Sequence, residues 1–164
     1  MNTKRFIITF IVVYVFLEIT NFLVHAVILG PTYASDAISY LFRTQEEMMS
    51  KMWIMYVMDL IWAFFFVFLF VKGYENKGIL EGLRFGLYIG IFYVMVQSYN
   101  TYVIYPLPYL LAFQSFVYGL IQVLILGLVT SLIYKPKESG VNKEIWDSPE
   151  YQTKDEIFLP WDFI

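Results

Sequence analysis

The chain has 164 residues, of which 59% are apolar, 21% aromatic and only 15% charged, and its formal net charge is −3. An ordinary soluble domain carries about 25% charged residues, so this composition belongs to a membrane protein. The chain has no cysteine, which excludes disulfide scaffolds, thiolate metal sites, iron–sulfur clusters and dithiol redox chemistry. It also lacks the basic stripe that nucleic acid requires, and four long apolar runs leave no room for a separate soluble catalytic domain.

The first run, about residues 6–29, follows the basic start MNTKR. Its apolar part is longer than a secretory h-region, it carries Glu18, and it lacks a small-x-small cleavage site, which together predict a retained transmembrane helix. Within it, "EITNFLVH" sets Glu18, Asn21 and the single histidine, His25, on one helical face, with Tyr14 one turn earlier. The following stretch, 31–51, has room for an amphipathic helix in the membrane interface, with Ile38, Leu41 and Phe42 turned to lipid. A solvated loop is the alternative.

The second run, about 52–71, is "MWIMYVMDLIWAFFFVFLFV", one bilayer crossing interrupted only by Asp59. The third, about 83–103, and the fourth, about 109–134, are joined by "YPLPY". Pro106 and Pro108 bias the residues before them to extended backbone and block helix continuation, so a tight reversal and an antiparallel hairpin are expected. The N-terminus, the connection "KGYENKGILEGLR" and the C-terminal tail hold nine of the eleven Lys and Arg residues. By the positive-inside rule both termini are expected in the cytoplasm.

The third run opens with "EGLRFGLYIG", which spaces Gly82, Gly86 and Gly90 four residues apart. Lipid tails compete equally for apolar contact, so such small residues favour close backbone approach to another helix. Ser115 and Gly119 of the fourth run, with Gly127 two turns on, are the expected complement, in the same chain or in a second copy. The third run continues its face through Tyr93, Gln97, Asn100 and Thr101, whereas Gln114, Tyr118 and Gln122 make a polar line on the fourth.

A charge at the bilayer centre costs at least about 2.5–3.5 kcal/mol, so Glu18, Asp59 and their polar neighbours are candidates for function. Tyr14, Glu18, Asn21, His25, Asp59, Gln97, Asn100, Gln114 and Gln122 are expected to form one buried polar layer. Three roles compete for it. The first is structural hydrogen bonding that fixes helix register. The second is a metal site of Glu18, His25 and Asp59, weak because one histidine stands without cysteine. The third is a proton or cation relay, or a pocket for quinone or another lipid-like molecule. No catalytic residue and no resident cofactor is predicted; quinone, lipid or a single metal ion are the ligands considered.

From residue 137 the composition turns polar and acidic, yet Trp146, Tyr151, Phe158, Trp161 and Phe163 recur among the acids. Such aromatic anchors suit a cytoplasmic segment that orders against a partner. The segments "VHAVILGPTY", "EGLRFGLYIG" and "YPLPYLLA" resemble an uncharacterised family of small bacterial four-helix integral membrane proteins. In these a His near the end of the first helix, a glycine-rich third helix and a proline turn recur. The resemblance runs from about Phe6 to Pro136, implies the fold, and brings no activity.

The expected architecture is therefore an all-α four-helix membrane bundle, residues 1–136, followed by a cytoplasmic tail, 137–164. The leading functional expectation is a non-catalytic accessory or assembly subunit of a larger complex in the bacterial inner membrane, with a respiratory complex as one host. Its contacts would be lipid and other membrane subunits. The rival is a small proton, ion or solute transporter using Glu18 and Asp59, or a quinone- or metal-binding membrane protein.

Overall fold

A computed structural model describes residues 2–135. Among these residues the chain is all-helical, and four helices are long and apolar enough to cross a membrane: α1 Thr3–Ile28, α2 Gln45–Lys72, α3 Ile79–Ile104 and α4 Tyr109–Ile133. Hydrocarbon offers the backbone no hydrogen-bond partner, so apolar segments of this length satisfy their own amides as helix. Polar side chains mark the ends. Asn2 Oδ1 accepts from the Arg5 amide at the start of α1, and Thr44 Oγ1 accepts from the Glu47 amide at the start of α2. Glu46 and Glu47 in the first turn of α2 and Lys72 in its last turn complement the helix dipole. Pro108 caps α4, and the reversal before it is tightened by the Leu107 amide donating to the Tyr105 carbonyl at 2.7 Å.

The 31–51 stretch departs from the expected interfacial helix. Residues from Gln45 belong to α2, and what remains is a turn at Gly30–Tyr33 and a single 3-10 turn at Ser39–Leu41. Ile38, expected against lipid, is 2% exposed and packs with Leu29 and Leu111. The stretch is too short for an independent amphipathic helix once α2 takes its last seven residues. Its apolar side chains instead close one end of the bundle. Because α2 starts earlier than expected, Asp59 lies near the middle of a 28-residue helix, about 21 Å from its first residue at 1.5 Å per residue.

The opposite end carries Asn2, the 73–78 connection and Tyr134, whose ring meets Tyr74 edge-on at 5.3 Å. Here the buried Glu81 carboxylate accepts from the Glu75 and Lys77 amides at 2.6 and 2.8 Å, tying the connection to α3. Gly78 adopts a φ of 70°, a left-handed conformation that glycine reaches without strain. On the surface of the same connection, Lys77 and Arg84 hydrogen-bond Glu75 and hold its carboxyl down to about 2.

The glycine stripe of α3 packs on α4, and Gly127, expected there with Ser115 and Gly119, makes the close backbone approach. A Cβ on Gly82 would meet the Gly127 carbonyl and Ser131, and one on Gly86 would lie 2.6 Å from the Val123 carbonyl oxygen. Gly90 and Gly119 lie under side chains, Leu120 and Val94 respectively. In this antiparallel hairpin Gly127 meets the Gly82 backbone, Gly119 meets the Val94 side chain, and Ser115 borders the cavity. The main apolar cluster joins Val13, Leu17, Phe66, Val67, Phe70 and Leu126. Phe85 of α3 packs edge-on against both Phe66 and Phe70 at 5.0 and 5.4 Å, which closes α2 onto α3.

Two of the four spans are not uniformly α-helical. Phe22–Ile28 of α1 and Gly90–Met95 of α3 are wound as π-helix. Each wide turn takes up an extra residue and rotates everything after it relative to an ideal α-helical face. Such stretches are rare and recur at functional sites.

Candidate functional site

A cavity of about 380 Å³ lies between the main apolar cluster and the Leu29–Ile38–Leu111 plug, touching Leu17 on one side and Leu111 on the other. That volume falls within the range of small-molecule pockets. All four spans reach it: Asn21 and His25 from α1, Asp59 and Trp62 from α2, Tyr93 and Gln97 from α3, and Ser115 and Gln122 from α4. Both π-helical stretches border it, through His25 and through Tyr93 with Val94. Tyr33 and Phe42 from the α1–α2 connection complete its rim.

The polar floor is a directed hydrogen-bond chain. Gln122 Nε2 donates to Asn21 Oδ1 at 2.7 Å and to Thr20 Oγ1 at 2.8 Å, and Asn21 Nδ2 donates onward to Asp59 Oδ2 at 3.0 Å. Thr20 is free to accept because its own proton goes to the Phe16 and Leu17 carbonyls. Each amide therefore spends its donor towards Asp59, which ends the chain as an acceptor. The chain links α4, α1 and α2 at one level, the arrangement by which polar groups fix helix register in lipid. Behind it, Glu18 stands beside the Tyr14 hydroxyl, and its Oε1 is buried without a hydrogen-bond partner.

His25 is directed elsewhere. Its Nδ1 shares a 3.1 Å hydrogen bond with the Tyr33 hydroxyl, and the two rings stack at 6.2 Å. Among the described residues no group of three His, Asp or Glu side chains is gathered closely enough to hold a metal ion. Glu18, His25 and Asp59 thus do not converge as a ligand set, because Tyr33 holds the imidazole at the rim.

The remaining polar residues divide by which side of their helix meets the cavity. On α3 Gln97, Ser98 and Thr101 border the cavity, with Tyr93 and Val94 one turn earlier, and Asn100 does not. Gln114 also lies off the cavity; Ser115, one residue on, lines it instead. Thr20, Tyr33, Trp62 and Ser98 were not singled out by the sequence. Thr20 sits two residues from Glu18, off the polar stripe, and Ser98 borders the cavity beside Gln97, at the edge of the face read from the sequence. The aromatic tail residues Trp146, Tyr151, Phe158, Trp161 and Phe163 lie outside the described residues.

Comparison with protein-family models, with curated proteins and with solved structures finds no match to this chain. Fold and site therefore define a class only: a four-helix protein of membrane-spanning composition with a polar, aromatic-walled cavity between its helices.

Proposed function

We propose that this protein binds a small amphipathic molecule within the membrane, in the cavity between its four spans. The observation that carries the reading is the cavity itself, which is bordered by all four helices, by the hydrogen-bonded Asp59 carboxylate and by the rings of Trp62 and Tyr93. A purely structural role for the polar layer calls for closure around Asp59, not for about 380 Å³ of space beside it. The Lys and Arg distribution supports a topology with both termini in the cytoplasm, and the resemblance to small bacterial membrane proteins supports the bacterial inner membrane as its location. In that topology the cavity lies in the outer half of the bilayer.

Native mass spectrometry after gentle extraction tests the reading. The wild type is expected to retain a small molecule that Ser115→Phe, which fills the cavity, releases while the protein stays folded. Equal retention by both, or none by either, would count against it. A second reading, an accessory or assembly subunit, draws its support from the aromatic anchors of residues 146–163. The same preparation reports on it: removal of residues 145–164 is expected to release co-purifying subunits.

A further inference from the structure

The ligand's chemical class follows from the polar groups that line the cavity and have no partner within the protein. Much of the polar lining is already paired. Gln122 and Asn21 donate along the chain that ends at Asp59, and His25 and Tyr33 bond each other. The Ser115 and Thr101 hydroxyls donate to the carbonyls one turn back, Leu111 and Gln97, both at 2.8 Å. One set of residues is different: Trp62 of α2 and Tyr93, Gln97 and Ser98 of α3 border the same space, and among the described residues none of their side chains makes a hydrogen bond. Gln97 lies seven residues before the end of α3 at Ile104, about 10 Å along the helix axis, and hydrocarbon gives its amide no partner.

Each of these four side chains can donate, and the Trp62 indole N–H can do nothing else. What satisfies them together is an oxygen acceptor. Leu17, Val94, Leu107, Leu111 and Val123 give the cavity apolar wall, and Trp62, stacked on Phe66 at 4.9 Å and set 6.3 Å from Tyr93, adds ring surface. Asp59 borders the cavity and no Lys or Arg does, so a phosphate or carboxylate would meet a like charge and no counter-charge. A cation is drawn by Asp59 but leaves the indole N–H with nothing to donate to. Resting on the cavity being a binding site, we propose that its ligand is a neutral molecule with an apolar body that presents carbonyl oxygen to Trp62, Tyr93, Gln97 and Ser98. A quinone has this chemistry. The chain from Gln122 through Asn21 to Asp59 holds α4, α1 and α2 in place around it.

The test compares three probes on one naphthalene frame, with the full-length protein in mild detergent: menadione, which carries ring carbonyls, 2-methylnaphthalene, which has none, and the cation trimethyl(1-naphthylmethyl)ammonium. The chain has no cysteine for menadione to alkylate. The wild type is expected to bind menadione at least about tenfold more tightly than either of the others. Trp62→Phe removes the N–H and keeps a ring, and Gln97→Leu removes the amide at an exposed position. Each is expected to weaken menadione about three- to tenfold and to leave 2-methylnaphthalene unchanged. Full menadione affinity in both variants, or binding of the hydrocarbon or the cation as tightly as menadione by the wild type, would overturn the carbonyl assignment and leave the cavity reading standing. If no probe binds while the wild type retains a small molecule that Ser115→Phe releases, the carbonyl assignment fails alone. If no probe binds and retention is equal, the cavity reading fails with it. The three-probe comparison needs only the wild type, so it decides the matter even if a variant does not fold.

Discussion

Gly86→Ala puts a methyl group where α3 and α4 have no room for one. Its Cβ would lie 2.6 Å from the Val123 carbonyl oxygen, 3.0 Å from the Leu124 Cα and 3.1 Å from the Val123 carbonyl carbon. All three are backbone atoms of α4, so no rotamer change relieves the clash and the helices must move apart by several tenths of an ångström. Overpacking of this kind costs about 1–3 kcal/mol. The usual gain in helix propensity from Gly to Ala does not offset it, because a span inserted in lipid is already helical before it packs. The expected result is a loss of about 5- to 150-fold in the folded-to-unfolded ratio, taking 1.4 kcal/mol as tenfold. Reversible unfolding in mixed micelles, followed by tryptophan fluorescence, measures it. Gly73→Ala is the control, since its Cβ meets nothing nearer than the Leu69 carbonyl oxygen at 3.7 Å. Wild-type stability in Gly86→Ala, or equal losses in both variants, would refute the packing argument.

Gln122→Leu removes two hydrogen bonds worth about 0.6 kcal/mol each on average in membranes. A loss of about 1–2 kcal/mol is expected in the same unfolding assay. Ile38→Ala empties a buried site and should cost about 2–5 kcal/mol, whereas a lipid-facing Ile38 would lose almost nothing. For Glu75 the folded carboxyl value of about 2 lies below its ordinary value of 4.5. Its ion pairs are therefore fully present above about pH 4.5 and fade as pH falls towards 2. Carbon-13 titration of Lys77→Gln/Arg84→Gln should return the midpoint towards 4.5. Topology is testable because the chain has no cysteine: Tyr40→Cys should react with an impermeant maleimide on intact cells, and Asn76→Cys only after permeabilisation.

The four spans were legible because hydropathy and length suffice where the backbone must satisfy itself, and the Pro106–Pro108 reversal was legible because proline restricts both itself and its predecessor. The glycine face of α3 was legible too, and so was α4 as its partner through Gly127. Spacing along α4 offers Gly119 and Gly127 alike, and the register of the hairpin decides between them. Asn21, Asp59 and Gln122 came from treating each intramembrane polar residue as costly until paired. Asn100 and Gln114 lie off the cavity because a polar stripe is wider than the face that meets it: Gln97 and Thr101 border the cavity on α3, and Ser115 and Gln122 on α4. Ile38 was misjudged because an apolar residue beside a bilayer can face lipid or protein, and only tertiary packing separates the two.

The account turns on a polar space inside the bundle, and the cysteine-free sequence allows it to be probed site by site. A nitroxide on Ser115→Cys and another on Phe65→Cys, in reconstituted bilayers, can be compared by power-saturation spectroscopy with oxygen and with a polar nickel chelate. The account predicts that the Ser115 label is relaxed by the nickel chelate while the Phe65 label, on the 53%-exposed outer face of α2, is relaxed by oxygen. A Ser115 label that responds to oxygen alone, as a lipid-facing site does, would contradict it.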